Sequence, residues 1–290
     1  HYAARKAGAR FVTTYHSVYG GDSAIKQRYN SIMAAGDVVI ANSHFTARHI
    51  AALHPEAARR VRVVARGVDL RAFSPAAVEP ARVERVRAGW GVAPHERVVL
   101  LPARLSARKG HLVLIEAAAR LAADGLADVR FVCVGDAPNA AFRQSVEAEI
   151  ARAGLAGVVL LAGYCADMPA AYLAAAVAVA PSTTPEAFGR VAMEAQALGA
   201  AVVVSDLGAA VETVLAPPEA APSEATGWRV PAGDADALAQ AIRAALELRP
   251  SERDALTARA RRHVQAHFSV ERMCAATLDL YEALLEERSR

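Results

Sequence analysis

An α/β fold of parallel sheets covered by helices on both faces is the class this sequence predicts, and three observations lead there. Runs that are apolar throughout, such as "RVVLLPARL", "VRFVCVGD" and "VAVAPS", alternate with long Ala-rich amphipathic stretches. Strands that are apolar at every position are buried on both faces, which parallel sheets flanked by helices require. The alternation breaks once, over "LRAFSPAAVEPARVERVRAGWGVAPHE", and then resumes, so two such domains are expected. A chain of 290 residues, 54% hydrophobic, has the length and apolar content to bury both cores.

The elements follow in order. "RFVTTYH" is a strand, a helix is expected near 22–35, and "GDVVIANS" is a second strand that delivers Ser43 as N-cap of the helix "HFTARHIAAL". "RVRVVARGVD" is a third strand. Residues 1–72 form the first domain and 73–95 a linker with one short helix. Residues 96–250 form the second domain, and 251–290 close the chain with one or two helices. In the second domain the helices "KGHLVLIEAAARLAADG", "NAAFRQSVEAEIARAG", "MPAAYLAAA" and "DADALAQAIRAALEL" separate the strands already quoted from "VVLLAGY" and "AVVVSD". "PEAFGRVAMEAQALG" is expected to hold a helix from about Phe188 to Leu198, with Gly199 as its C-cap. In the tail, Val270, Met273, Ala276, Leu278, Tyr281 and Leu284 form a broad apolar stripe.

Composition narrows the function. No apolar stretch reaches the roughly 18–20 residues of a membrane span, and no secretory leader is read at the start. Cys133, Cys165 and Cys274 are widely spaced in mostly apolar segments; they are expected to be buried thiols of a cytoplasmic protein, without a disulfide framework or metal site. The net charge of +3 hides an asymmetry: residues 1–71 carry 11 Lys and Arg against 4 Asp and Glu, and the remainder 22 against 26. The basic segment suits an anionic partner, such as a phosphorylated acceptor or the inner surface of an anionic membrane.

In open α/β sheets, ligands bind where strands end and helices begin. Four such places carry polar residues. In "LPARLSARKG", Arg104 and Lys109 leave a strand together, and two converging cations suit a diphosphate. After "VAVAPS", Glu186 precedes a helix whose N-terminus would present the amides of Phe188, Gly189 and Arg190. Glu194 follows about 12 Å further along at ~1.5 Å per residue. Carboxylates at the two ends of that span suit a sugar and a ribose, since each accepts two hydroxyl hydrogens. His16 ends the strand in "VTTYHS", and Gly135 and Asp136 end the one in "VCVGDAPN", where a tight turn also accounts for the pair.

Several chemistries lack their motifs. There is no G-x-G-x-x-G between strand and helix and no G-x-x-x-x-G-K-[ST]. His44, His49 and His54 are five apart and share no helical face. Asp-x-Asp occurs only as "GDADA" (Asp234 and Asp236), at a helix start where acids serve as caps.

Taken in order, Arg104, Lys109 and Gly110, then Glu186, Phe188, Gly189 and Glu194, then "GWRVPAGDADALAQAI", resemble the retaining glycosyltransferases of family 4, which have the GT-B fold. "VIANSHFTARHI", "RGVDLRAFSP" and "GYCADMPAAYLAAA" are similar to the same family in the same order. The resemblance implies two Rossmann-like doubly wound domains facing a cleft, the first incomplete because the family's chain begins roughly a hundred residues earlier. It implies glycosyl transfer from a nucleoside-diphosphate sugar with retention, without cofactor or metal, to a glycan or lipid-linked acceptor such as lipopolysaccharide. Arg104 and Lys109 would bind the diphosphate. Glu186 with the amides of Phe188 and Gly189 would hold the sugar, Glu194 the ribose, and His16 would lie near the sugar. The last helix would return to the first domain.

There are departures: Ala103 stands for a glycine, Ala209 and Ala210 follow Gly208 where a second glycine is common, and Arg66 stands for an asparagine. Two other readings stand beside transfer. One is a non-catalytic nucleotide-sugar-binding fragment; the other is a nucleotide-sugar epimerase of related fold, which transfer to an acceptor would separate.

Overall fold

The structure, a computed structural model, describes residues 1–18 and 23–289, and the chain divides into two compact units. The first comprises residues 1–67, 186–188 and 267–290; the second comprises 68–185 and 189–266.

In the first unit, β1 (Val12–Tyr15), β2 (Val38–Ala41) and β3 (Val61–Val63) form a parallel sheet in sequence order, with Val12 opposite Val38 and Val39 opposite Val61. Helices α1 (Tyr2–Lys6), α2 (Ala24–Asn30) and α3 (His44–Leu53) accompany it. The helix expected near 22–35 is α2 followed by a 3-10 turn over Ser31–Ala34, and residue 22 lies outside the described residues. The core is Tyr15, Val39, Ala41 and Ile50. Ser43 caps α3 by accepting from the Thr46 amide at 3.0 Å, while its hydroxyl donates to the Ala187 carbonyl at 2.6 Å.

The second unit contains α4 (Pro80–Gly89), β4 (Arg97–Pro102), α5 (His111–Ala123), β5 (Val129–Val134), α6 (Ala140–Arg152), β6 (Val159–Gly163) and α7 (Met168–Ala174). It continues with β7 (Val177–Ala180), α8 (Arg190–Leu198), β8 (Ala201–Ser205), α9 (Ala210–Thr213), β9 (Trp228–Val230), α10 (Ala235–Leu246) and α11 (Pro250–His267), whose final residue falls in the first unit. The six described strands are all parallel, in the order β6-β5-β4-β7-β8-β9. Numbered within the unit this is 3-2-1-4-5-6, the doubly wound order whose direction reverses between its first and fourth strands.

The continuous apolar runs have a direct consequence. Along β4, Val99 and Leu101 face a cluster with Leu114, Ile115, Leu238 and Ile242, whereas Val98 and Leu100 face Ala171, Tyr172, Ala195 and Leu198. Alternate side chains feed opposite cores, so the four central positions Val98 to Leu101 are apolar and only the ends of the strand reach solvent.

Residues 73–95, expected as a linker, belong instead to the second unit. Pro75 and Pro80 open helical turns, a position where the missing N–H costs nothing. Val78 and Val92 are buried in the second cluster. The Arg82 guanidinium forks onto Asp167 at 2.8 and 2.7 Å, tying α4 to the carboxylate that also caps α7. The strand β9 and the short α9 were not anticipated from sequence.

The tail is two helices: α11 lies with the second unit except for His267, and α12 (Val270–Ser289) groups with residues 1–67. The Gly67 amide donates to Met273 Sδ at 3.4 Å. The expected stripe is narrower than drawn, because Leu278 and Tyr281 are exposed and Leu284 is the buried member. Val270, Met273, Thr277, Leu280 and Leu284, all covered, step by three or four residues, as a single helix face demands. The cysteines also differ from expectation: Cys133 is buried, Cys165 is half-buried and Cys274 is exposed, and all three are free. Among the described residues no helix is long and apolar enough to cross a membrane.

Ile242 is fully buried between α10 and the sheet. Ile242→Ala is expected to destabilise the chain by about 2–5 kcal/mol, read as a shift in the urea unfolding midpoint.

Candidate functional site

The reversal of winding lies between β4 and β7, and in doubly wound sheets ligands bind beside such a reversal, at the C-terminal edge of the strands. The β4 loop carries Arg104 and Lys109; the β7 loop leads to Gly189, Arg190 and Glu194. Motifs some eighty residues apart in sequence thus leave adjacent strands of one sheet.

The two loops are locked together. The Thr183 amide donates to the Arg108 carbonyl at 3.0 Å, and a Cβ on Gly110 would stand 1.8 Å from the Pro181 carbonyl oxygen. Gly110 also has φ +75, in the left-handed region, so it alone among residue types fits both demands. On the other side, the Leu105 amide donates to the Asp136 carbonyl at 2.9 Å. A Cβ on Gly135 would meet the Ala103 carbonyl oxygen at 2.4 Å. Gly135 and Asp136 therefore hold the cationic loop from the β5 side by backbone contact. Arg104 is exposed and Lys109 half-buried.

α8 begins at Arg190, with Gly189 as a left-handed N-cap, two residues later than the sequence implied. Its first amides are those of Arg190 and Val191, not that of Phe188. The Phe188 side chain is instead buried, edge-on to Phe268 at 5.8 Å within the first unit. Glu186 and His16 also belong to the first unit. Arg66 Nη2 lies 2.9 Å from His16 Nδ1; burial and this guanidinium both lower the His16 pKa from its ordinary 6.5.

Glu194 is 8% exposed and its carboxylate is already oriented. Arg190 donates to Oε1 at 2.6 Å, and the Tyr172 hydroxyl donates to Oε2 at 3.0 Å. Burial, and secondarily the Glu194 charge, raise Tyr172 well above its ordinary pKa of 10, so it remains a donor throughout the physiological range. Each carboxylate oxygen accepts one protein hydrogen bond and keeps a lone pair for a ligand hydroxyl. Sequence reasoning missed Tyr172, which lies inside an otherwise apolar helix; a tyrosine placed among alanines was its one signal.

His111 was also missed. It is 1% exposed behind the cationic loop, edge-on to Phe142, with both ring nitrogens lacking a well-formed hydrogen bond. Burial depresses its pKa from 6.5, Lys109 adds to the effect, and the nearby Ser106 and Ala103 carbonyls oppose it. Asp234 caps α10 through the Ala237 amide, and Asp236 pairs with Arg120, as expected for a helix start.

Fold and site together define a doubly wound α/β unit with cations and an oriented carboxylate at its switch point. Residues 83–263 match the model of the glycosyl transferases group 1, and residues 1–72 that of Glycosyltransferase Family 4. The chain belongs to the glycosyl transferases group 1 family. It is 35% identical over 263 residues to a D-inositol 3-phosphate glycosyltransferase of Geodermatophilus obscurus, covering 88% of this chain and 54% of that one. The chain thus spans about half the length of that curated relative. A glycosyltransferase structure from Rickettsia africae superposes with a TM-score of 0.87 at 31% identity, covering 98% of this chain and 73% of the other. HepE of Anabaena, solved with UDP and glucose, superposes with a TM-score of 0.84 at 26% identity, covering 97% and 73%. These structures carry the GT-B architecture, which this chain shares.

Three outcomes test the site. Gly110→Ala is expected to cost about 1–3 kcal/mol in chemical unfolding, because the left-handed backbone and the Pro181 carbonyl both oppose a Cβ. Tyr172→Phe is expected to cost about 1.5–3 kcal/mol, since it strips a donor from a buried carboxylate. A histidine whose pKa is lowered on folding binds fewer protons folded than unfolded, so stability is full above the ordinary 6.5 and declines as pH falls through it towards the folded value. Urea melts across pH 5–7.5 should show that decline, reduced in His111→Leu.

Proposed function

We propose that the protein to which this chain belongs transfers a glycosyl group from a nucleoside-diphosphate sugar to an acceptor hydroxyl, with retention at the anomeric carbon. The observation that carries this reading is the switch point itself. Two cations leave one strand, an oriented carboxylate follows its neighbour, and the chain belongs to the glycosyl transferases group 1. The complex of HepE with UDP and glucose supports a nucleotide-sugar donor.

In this reading Arg104 and Lys109 bind the diphosphate, and Glu194, steadied by Arg190 and Tyr172, takes the ribose hydroxyls. Gly189 leaves the start of α8 open to a phosphate. Glu186 accepts from hydroxyls of the transferred sugar, Phe188 contributes its backbone amide alone, and His16 lies on the sugar side. The diphosphate leaves with its growing charge balanced by the two cations and the helix N-terminus, and the acceptor attacks from the same face. No cofactor or metal is assigned a role. The acceptor is a phosphorylated or lipid-linked glycan precursor, for which the excess of basic residues in 1–71 is suited, and the enzyme works in the cytoplasm, at or near an anionic membrane. For this chain alone, which spans about half of its curated relative, donor binding without turnover is the expected activity.

Native mass spectrometry of the chain with a panel of nucleotide sugars tests donor binding, and anomeric NMR of the product made by the whole protein tests retention. Failure to retain any nucleotide sugar would overturn the reading. Lys109→Ala should weaken UDP binding in titration calorimetry by about 1–3 kcal/mol, the worth of a charge-assisted contact. Unchanged affinity would remove Lys109 from the donor site. Binding should be unaffected by EDTA.

A further inference from the structure

A second concavity lies at the other edge of the six-stranded sheet. Trp228 begins β9 and Leu248 follows α10, so both stand at the N-terminal end of the parallel strands, away from the switch point between β4 and β7. Between the 215–229 segment and α11 there is a cavity of about 630 Å³. That volume falls within the roughly 300–1,000 Å³ typical of small-molecule sites. Its helical wall is Glu252, Ala255, Leu256 and Arg259, whose spacing of three and four places them on one face of α11. The opposing wall is flat and apolar, built from Pro217, Pro222 and the half-buried Trp228 ring.

The charges in this cavity are not equivalent. Arg229, with its side chain only 2% exposed, is held by the Ala216 and Pro217 carbonyls at 3.3 Å each and pairs with Glu219 and Asp206. It anchors the loop and two carboxylates balance its charge, although its buried Nε and Nη1 make no hydrogen bond. Glu252 is turned to Arg249, accepting from its backbone amide at 3.0 Å and from its guanidinium. Arg259 differs: Nε donates to the Ala225 carbonyl at 3.0 Å, which orients the guanidinium plane, while its two Nη groups have no acceptor among the described residues. The cavity thus offers an oriented, unbalanced cation beside a flat apolar wall.

We propose that this cavity is a second ligand site, taking a small organic anion whose carboxylate, sulfonate or phosphate meets Arg259 and whose flat apolar body lies against Trp228 and the prolines. A guanidinium fixed by one bond and free at its outer edge fits a bidentate anionic head. The position, on the sheet edge remote from the switch point, makes the site independent of the donor reading.

The test uses the whole chain and 1-anilinonaphthalene-8-sulfonate, a flat organic anion, titrated by its own fluorescence. Its uncharged relative N-phenyl-1-naphthylamine runs in parallel. Saturable binding is expected, weakened about tenfold or more by Arg259→Ala, the effect of losing a charged hydrogen-bond donor. Ala255→Trp is expected to block the cavity; Ala255 is exposed on α11, so this variant folds even if Arg259→Ala does not. Lys109→Ala should leave the sulfonate affinity unchanged, which separates this site from the donor site. Affinity within twofold of the parent in either cavity variant, or equal binding of the uncharged relative, overturns the proposal.

Discussion

The close approach of the β4 and β7 loops is the constraint on which the candidate site depends. Parallel strands leave their loops at the same edge, but only a reversal of winding sends the two loops apart with a crevice between them. At its base the backbones still touch, since Gly110 sits against the Pro181 carbonyl and Thr183 bonds to Arg108. Gly135 applies the same pressure to Ala103 from the β5 side. The cationic loop is thereby clamped on both flanks by main chain.

The carboxylate opposite is prepared in a different way. Glu194 is withdrawn from water, which would be costly for an isolated charge. Arg190 and Tyr172 offset that cost and fix where its remaining lone pairs point. Tyr172 comes from α7, the helix that Arg82 and Asp167 tie to α4. The segment 73–95 therefore belongs to the architecture that supports the site. The Glu194 carboxylate is thus oriented through residues that lie behind it in the fold.

The two ends of the second unit invite different chemistry. The C-terminal edge carries helix N-termini, glycine turns and cations on short loops, the usual equipment for anionic groups. The opposite edge has a long proline-rich segment between α9 and β9, folded back against α11 to leave the cavity beside Trp228. Backbone amides dominate the first and apolar surface the second, so a ligand at each would be recognised on different grounds.

How much of this was legible depended on the range of the interactions involved. Apolar runs separated by amphipathic stretches settled the α/β class, the strands β1–β8 and the caps Ser43, Asp234 and Gly199, because burial period and capping are local properties. Arg104, Lys109 and Glu194 could be named as candidates because strand ends are readable and ligands gather there. The three-residue edge strand β9 was too short to show a period. The start of α8 shifted to Arg190 because Phe188 is drawn into packing with Phe268, a partner eighty residues away. Prolines 75 and 80 resembled a linker until Val78, Val92 and Arg82 found their partners. Sequence by itself determined eight of the nine described strands and which residues stand at their ends; only the tertiary structure decided strand order, and with it the switch point, because order is set by which faces pack together rather than by any one segment's pattern.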